Sequence, residues 1–219
     1  MSVVTIRGQL GSGAPEMGKL IADKLHADYV DREIIAKVAA LLNRRKRGVR
    51  AKEMPPGSLA GRIAETLGRG YLFGVDYQGV YLPAWEIPLD DTRYLAALES
   101  VIKELAESPS IVIRGRGSQL ILKDYPSALH VLVVAPLEMR VKRVMESLNL
   151  DEDSAKKEIA HYDSSRREFI KRYFQAELED PVHYDLVLNT EHLRFEAAAS
   201  IVVDAAPLKE RTVDVSRTA

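Results

Sequence analysis

Residues 3–20, VVTIRGQLGSGAPEMGKL, set a β-branched apolar run before a glycine-rich turn and then a segment of apolar helical spacing. No other stretch restricts the chain as much. Where a strand ends in such a turn and a helix begins, free backbone N–H groups converge on one point and form a seat for an anion. Two registers of a phosphate loop overlap here. One takes Gly13 to Lys19 as G-x-x-x-x-G-K, with Leu20 where Ser or Thr is required; the other takes Gly8 to Gly13, followed by Ala14 and Pro15. Only the second starts where the strand VVTI stops. In the first, GQLGS would have to end a strand, and Lys19 would lie about a turn inside the helix that carries Leu20, Ile21 and Leu25. We therefore read the loop as Gly8, Gln9, Leu10, Gly11, Ser12 and Gly13, with Ala14 and Pro15 opening the helix and Lys19 a decoy.

This register has a chemical consequence. In a phosphate loop of this kind a Lys bridges the β- and γ-phosphates and a Ser or Thr hydroxyl holds Mg²⁺, and here those places hold Ala14 and Pro15. Pro15 suits the first turn of a helix, so the scaffold persists while both side chains are missing. A compensating cation has to come from elsewhere: Arg7, Arg114 or an arginine of a later charged segment.

After the loop the pattern continues as a helix over 15–26, a short strand over 27–31 and a second helix over 32–42. Residues 43–90 break it with the basic run RRKRGVRAK, the turn signal MPPGS and the aromatic stretch holding Tyr71, Phe73, Tyr77, Tyr81 and Trp85, which we read as an insertion. A helix follows over 90–107, with Leu95, Leu98, Val101, Ile102 and Leu105 on one stripe. The runs 110–115, 128–135 and 184–190 are near-continuously apolar, as strands covered on both faces are. Residues 136–179 are charged and read as helical throughout, with an N-cap at Asp151, and residues 208–219 read as a weakly ordered tail. Five strands alternating with helices imply an α/β fold with a parallel sheet and ligands at the carboxyl ends of its strands. The candidate chemistry falls there: Gly8 to Gly13, then Asp31 and Arg32, then Arg116.

The 219 residues suit one domain with an inserted region, and 46% apolar content supports a substantial core. A net charge of −1 recruits neither nucleic acid nor anionic lipid, so any polyanion site is local. Cysteine is absent, which excludes disulfides and thiol chemistry. The histidines match no metal spacing, and no metal site is expected. No apolar run approaches the about 18 residues of a membrane span, and the N-terminal residues carry no export pattern, so a cytoplasmic protein is expected. Arg140 and Arg143 lie about one helical turn apart, and Arg166, Arg167 and Arg172 follow in HYDSSRREFIKRYF. Guanidinium forks of this kind suit phosphate oxygens, although neighbouring acids would equally make a solvated helix pair laced with salt bridges. The basic run 44–52 lacks interleaved aromatics and reads as a solvated loop, not a nucleic-acid patch.

GSG after the first strand, YVDREII after the second, VIRGRGSQLIL after the third, HVLVVAPLEMRVKRVM, a charged D-x-x-x-R segment and DPVHYDLVLNT together resemble the P-loop nucleoside monophosphate kinases, and within them the cytidylate kinase-like branch. The resemblance implies a three-layer kinase fold with a five-stranded parallel sheet, a monophosphate-binding insertion at about 43–90 and a helical lid at about 148–178. By its motifs, Asp31 and Lys37 match acceptor-site positions, with Arg32 beside them, and Arg116 matches the arginine of a G-R-D motif. Asp163 and Arg166 match a lid D-x-x-R on the acceptor, while Arg140 and Arg143 fall where arginines face the donor, and Arg140, Arg143, Arg166 and Arg167 are expected to neutralise charge as the lid closes. Gly117 stands in place of the aspartate of G-R-D. The implied activity is transfer of a phosphoryl group from ATP, with Mg²⁺, to a nucleoside monophosphate, cytidylate being the leading acceptor. The missing loop side chains keep a second reading open, a nucleotide-binding sensor without catalysis, and an RNA-binding role for the basic run is a third. Small-molecule nucleotides are the expected partners.

Overall fold

The computed structural model describes residues 2–31 and 91–215. Arg32, Lys37, the expected helix over 32–42 and the insertion with its basic and aromatic stretches lie outside the described residues. The elements are β1 (Ser2–Gly8), α1 (Ala14–Leu25), β2 (Asp28–Val30), α2 (Asp91–Ala106), β3 (Ser110–Arg114), α3 (Ser118–Ile121), β4 (Ala128–Val134), α4 (Leu137–Leu148), α5 (Glu152–Phe174), a 3-10 turn (Pro181–His183), β5 (Leu186–Asn189) and α6 (Phe195–Val215). By compactness the chain divides into two units, Met1–Tyr29 with Pro109–Ala219, and Val30–Ser108. In the second unit, α2 buries Leu98, Val101, Ile102 and Leu105 of the expected stripe, with Leu95 half-buried.

The five strands form one sheet in the order β2-β3-β1-β4-β5. β1 runs parallel to β3 and to β4, and β4 parallel to β5, which is the α/β arrangement expected from the apolar runs. Side chains alternate across β1. Val4 and Ile6 join Val112, Val131 and Val133 in a core with Met17 and Ile21 of α1 and Ala198, Ala199 and Val202 of α6. Val3, Thr5 and Arg7 point to the opposite face, and they are buried too. A strand buried on both faces has no room for polar residues without partners, so Thr5 and Arg7 each need an account.

Two readings of the sequence are corrected. Residues 136–179 are not one helical stretch: Asn149 adopts the left-handed region at φ 53° and ends α4, and Asp151 restarts the chain as the expected cap of α5, accepting from the Ser154 N–H at 2.9 Å. α5 in turn stops at Gln175, at φ 53°. The stretch read as a tail from Leu208 continues as α6 to Val215. Its polar composition conceals what anchors it, the ion pair of Lys209 with Asp185 just beyond the buried Ala206.

Thr5 is matched across the sheet by His130 of β4, whose Nδ1 lies 2.8 Å from Thr5 Oγ1, while the His130 N–H donates to Asp185 Oδ2 at 2.8 Å. Burial lowers the His130 pKa below the ordinary value, against the opposing pull of the Asp185 carboxylate. In the unfolded chain His130 takes up a proton as pH falls through about 6.5, and in the folded protein it does so only at lower pH. The unfolded state then binds more protons, so stability is lost as pH falls below about 6.5 and is flat above it, at up to about 1.4 kcal/mol per pH unit. Urea unfolding from pH 7.5 to 5.0 checks this: the wild-type slope is expected to shrink in His130→Asn, and an unchanged slope contradicts the assignment.

Candidate phosphate-binding site

The turn between β1 and α1 is built from glycines that have no substitute. Gly11 (φ 80°) and Gly13 (φ 89°) both lie in the left-handed region. A Cβ on Gly11 would come within 2.7 Å of the Arg140 carbonyl oxygen, and one on Gly13 within 2.2 Å of the Phe195 ring. Helices α4 and α6 therefore press directly on the loop. Gly18, which gave the rival register its second glycine, is explained by packing: a Cβ there would meet the Tyr29 ring at 2.6 Å. Lys19 is exposed on α1, as a decoy should be.

The loop's carbonyl groups are hydrogen-bonded, from within the loop and from outside it. Gln9 O accepts from the Ser12 N–H at 3.1 Å and Gly13 O from the Met17 N–H at 2.9 Å. Leu10 O accepts from Arg140 at 3.4 Å, Gly11 O from Arg143 at 3.2 Å, and Ser12 O from the Thr190 hydroxyl at 2.7 Å. Arg143 also donates to Thr190 Oγ1 at 2.9 Å and to Thr190 O at 2.8 Å, with its guanidinium 5.0 Å over the Phe195 ring. With the carbonyls so tied, the N–H groups of Gly11, Gly13 and Ala14 have no acceptor among the described residues. A helix N-terminus with free donors of this kind is an anion seat.

One loop amide is already taken. Asp163 of α5, 3% exposed, accepts the Leu10 N–H at Oδ1 (3.2 Å) and pairs through Oδ2 with Arg140 at 2.6 Å. α5 thus docks on the loop by a carboxylate. Its neighbouring residue Tyr162 has two guanidinium groups near its ring, Arg7 at 6.0 Å from the centroid and Arg166 at 4.7 Å. The last residue of α5, Phe174, packs where a Cβ on Gly117 would sit, at 2.5 Å. The turn after β3 is strained: Gly115, Arg116 and Gly117 are all left-handed, and Arg116 pays for φ 59° without glycine's freedom. Such outliers concentrate at functional positions.

Of the residues singled out by sequence, the loop, Arg140, Arg143 and Asp163 come together. Arg166 stacks on the adjoining Tyr162, and Arg116 lies in the strained turn after β3. Arg167 instead pairs on the surface with Glu179 at 3.0 Å. Asp31 follows β2 in the second unit, and Arg32 and Lys37 lie outside the described residues. No cluster of metal-ligating side chains occurs among the described residues, and Pro15 offers no hydroxyl for Mg²⁺. Sequence reasoning missed Thr190 and Phe195. Thr190 closes the motif DPVHYDLVLNT, and its place just past β5, level with the loop, was the available signal.

A five-stranded sheet with a glycine loop between its central strand and a helix, flanked by two arginines from a later helix, defines a P-loop kinase fold. The chain belongs to the cytidylate kinase-like family, whose profile matches residues 3–192. It is 34% identical over 99 residues to a uronate isomerase of Corynebacterium glutamicum, a match covering 45% of this chain and 19% of that protein. It is 31% identical over 104 residues to a cytidylate kinase of Methanocaldococcus jannaschii, covering 47% of this chain and 58% of that one. The chain therefore spans less than two thirds of either relative's length. Among solved structures, an uncharacterised protein from Eubacterium ventriosum aligns with a TM-score of 0.65 at 18% identity, covering 94% of this chain and 99% of that one, a likeness of fold.

Removing one partner of a buried ion pair strands the other charge, so Asp163→Ala is expected to cost about 3–5 kcal/mol, with much of the loss recovered in Arg140→Met/Asp163→Leu. Urea denaturation of the three proteins measures it; a single variant as stable as wild type contradicts the buried pairing. Left-handed backbone at Arg116 separates Gly from Ala by about 1 kcal/mol, so Arg116→Gly is expected to unfold at higher urea than Arg116→Ala, and the reverse order refutes the strain.

Proposed function

We propose that the protein transfers the terminal phosphoryl group of ATP to a nucleoside monophosphate, with cytidylate as the acceptor. The observation that carries this reading is the hydrogen-bond pattern of the loop: bound carbonyls, and open N–H groups at Gly11, Gly13 and Ala14. Charge supports it. Arg143 has no carboxylate partner among the described residues, whereas Arg140 is paired with Asp163. The local field therefore favours a polyanion although the whole chain is near neutral. A donor phosphate would sit on the open amides and draw Arg140 toward its oxygens, with Arg143 holding the loop and adding its charge, while Asp163 would leave the Leu10 N–H to it. On the acceptor side the resemblance assigns Asp31, Arg32, Lys37 and Arg116. In phosphoryl transfer, positioning and charge neutralisation supply nearly all of the catalysis, and arginines are suited to both.

Ala14 and Pro15 support a second reading, a nucleotide sensor that binds without turnover. Loss of one preorganised donor commonly lowers turnover by about 10²- to 10³-fold, so a residual rate separates the two. In a coupled assay with ATP and Mg²⁺ across the nucleoside monophosphates, cytidylate is expected to give the highest kcat/KM. No turnover with any acceptor, alongside calorimetric ATP binding, would replace the kinase reading with the sensor.

A further inference from the structure

Arg7 is out of place by every rule that governs the rest of β1. It lies in the central strand, on the face it shares with Val3 and Thr5, and it is only 8% exposed. A charge buried this deeply is normally paired. Among the described residues Arg7 has no carboxylate partner: its guanidinium donates to Gly8 O and lies 6.0 Å from the Tyr162 ring centroid. The nearby Tyr184 is no counter-ion, since its hydroxyl donates to Leu178 O and accepts from Gln119. Burial pushes that phenol up to about 12, although the Arg7 charge pulls the other way. An apolar side chain at this position would avoid the desolvation cost, as it does at Val3 on the same face. The sequence places a cation there, one residue before the loop begins, in a protein whose loop has Ala14 where a lysine would stand.

We propose that Arg7 is an anion-binding residue that stands in for the missing loop lysine, meeting the polyphosphate chain of a nucleotide seated on the amides of Gly11, Gly13 and Ala14. The assignment rests on the nucleotide reading above and adds a residue to it. The ligand class is a polyphosphate bearing at least two adjacent phosphoryl groups, because one seat is supplied by the amides and the other by Arg7. Tyr162, whose ring centroid lies 6.0 Å from the Arg7 guanidinium, ties this cation to α5. The same polyphosphate would therefore be sensed by the helix that already touches the loop through Asp163.

A residue kept for a ligand at the expense of the empty protein has a signature that a structural residue lacks, since its removal weakens binding without weakening the fold. The test compares wild type, Arg7→Met, Arg7→Lys and the exposed control Lys156→Met by thermal melting without ligand, and by calorimetry with MgATP and with inorganic tripolyphosphate. Arg7→Met is expected to melt at or above wild type and to bind both probes at least roughly tenfold more weakly, as befits loss of a charge-assisted hydrogen bond. Arg7→Lys should recover part of that affinity, and the control should match wild type. Wild-type affinity in Arg7→Met overturns the assignment and leaves the nucleotide reading standing. A lowered melting temperature in Arg7→Met overturns it in favour of a structural role, and a loss confined to MgATP overturns the phosphate contact. Absence of binding by wild type to either probe removes the nucleotide reading and Arg7's role together.

Discussion

The bracket of Arg143 and Thr190 around Gly11 and Ser12 is the interaction on which the rest of the site depends. A short glycine turn has little conformational preference of its own, so something must decide which way its peptide groups face. Here an arginine from α4 and a threonine just after β5 take the Gly11 and Ser12 carbonyls at 3.2 and 2.7 Å. Phe195 fills the space that a Cβ on Gly13 would need. The amides of Gly11, Gly13 and Ala14, at the start of α1, are then left without an acceptor among the described residues. The loop is preorganised by its neighbours, and preorganised donors are what make such sites effective.

This arrangement changes what the absence of Lys and Ser or Thr means. Backbone amides need no side chain to hold a phosphate, and the arginines on the loop arrive from β1 and α4. Asp163 balances one of those arginines and occupies the Leu10 N–H. The loop thus has a carboxylate at one amide and open donors at others. The Asp163 carboxylate fastens α5 to the loop, and the chemistry of a phosphate is complementary to the groups that fasten it. Depletion of the motif and retention of the site are compatible because the loop's geometry and its charge are supplied by different parts of the chain.

Much of this was legible in the sequence where local physics governs. VVTI ending at Gly8 fixed the loop register, and the apolar runs located all five strands. Asp151 followed by Ser154 announced a capped helix. Legibility failed where distant contacts decide. Thr190 lies 178 residues from Ser12, and no spacing rule links them. Residues 208–215 read as a tail because LKERTVDV is polar, yet the Lys209 pair with Asp185 extends α6 through them. The charged segment looked continuous because Asn149 differs from its neighbours only in tolerating φ > 0. The arginines were recognisable as a group, but which of them face the loop depends on how α4 and α5 dock. Arg143 reached it, whereas Arg167 found Glu179.

The central claim is that the amides of Gly11, Gly13 and Ala14 are a working anion seat without help from the usual side chains. Amide-resolved NMR during titration with MgATP addresses it most directly. The account predicts that these three resonances move together and saturate along one binding curve. Movement confined to other parts of the chain, with these amides unchanged at saturation, would contradict it.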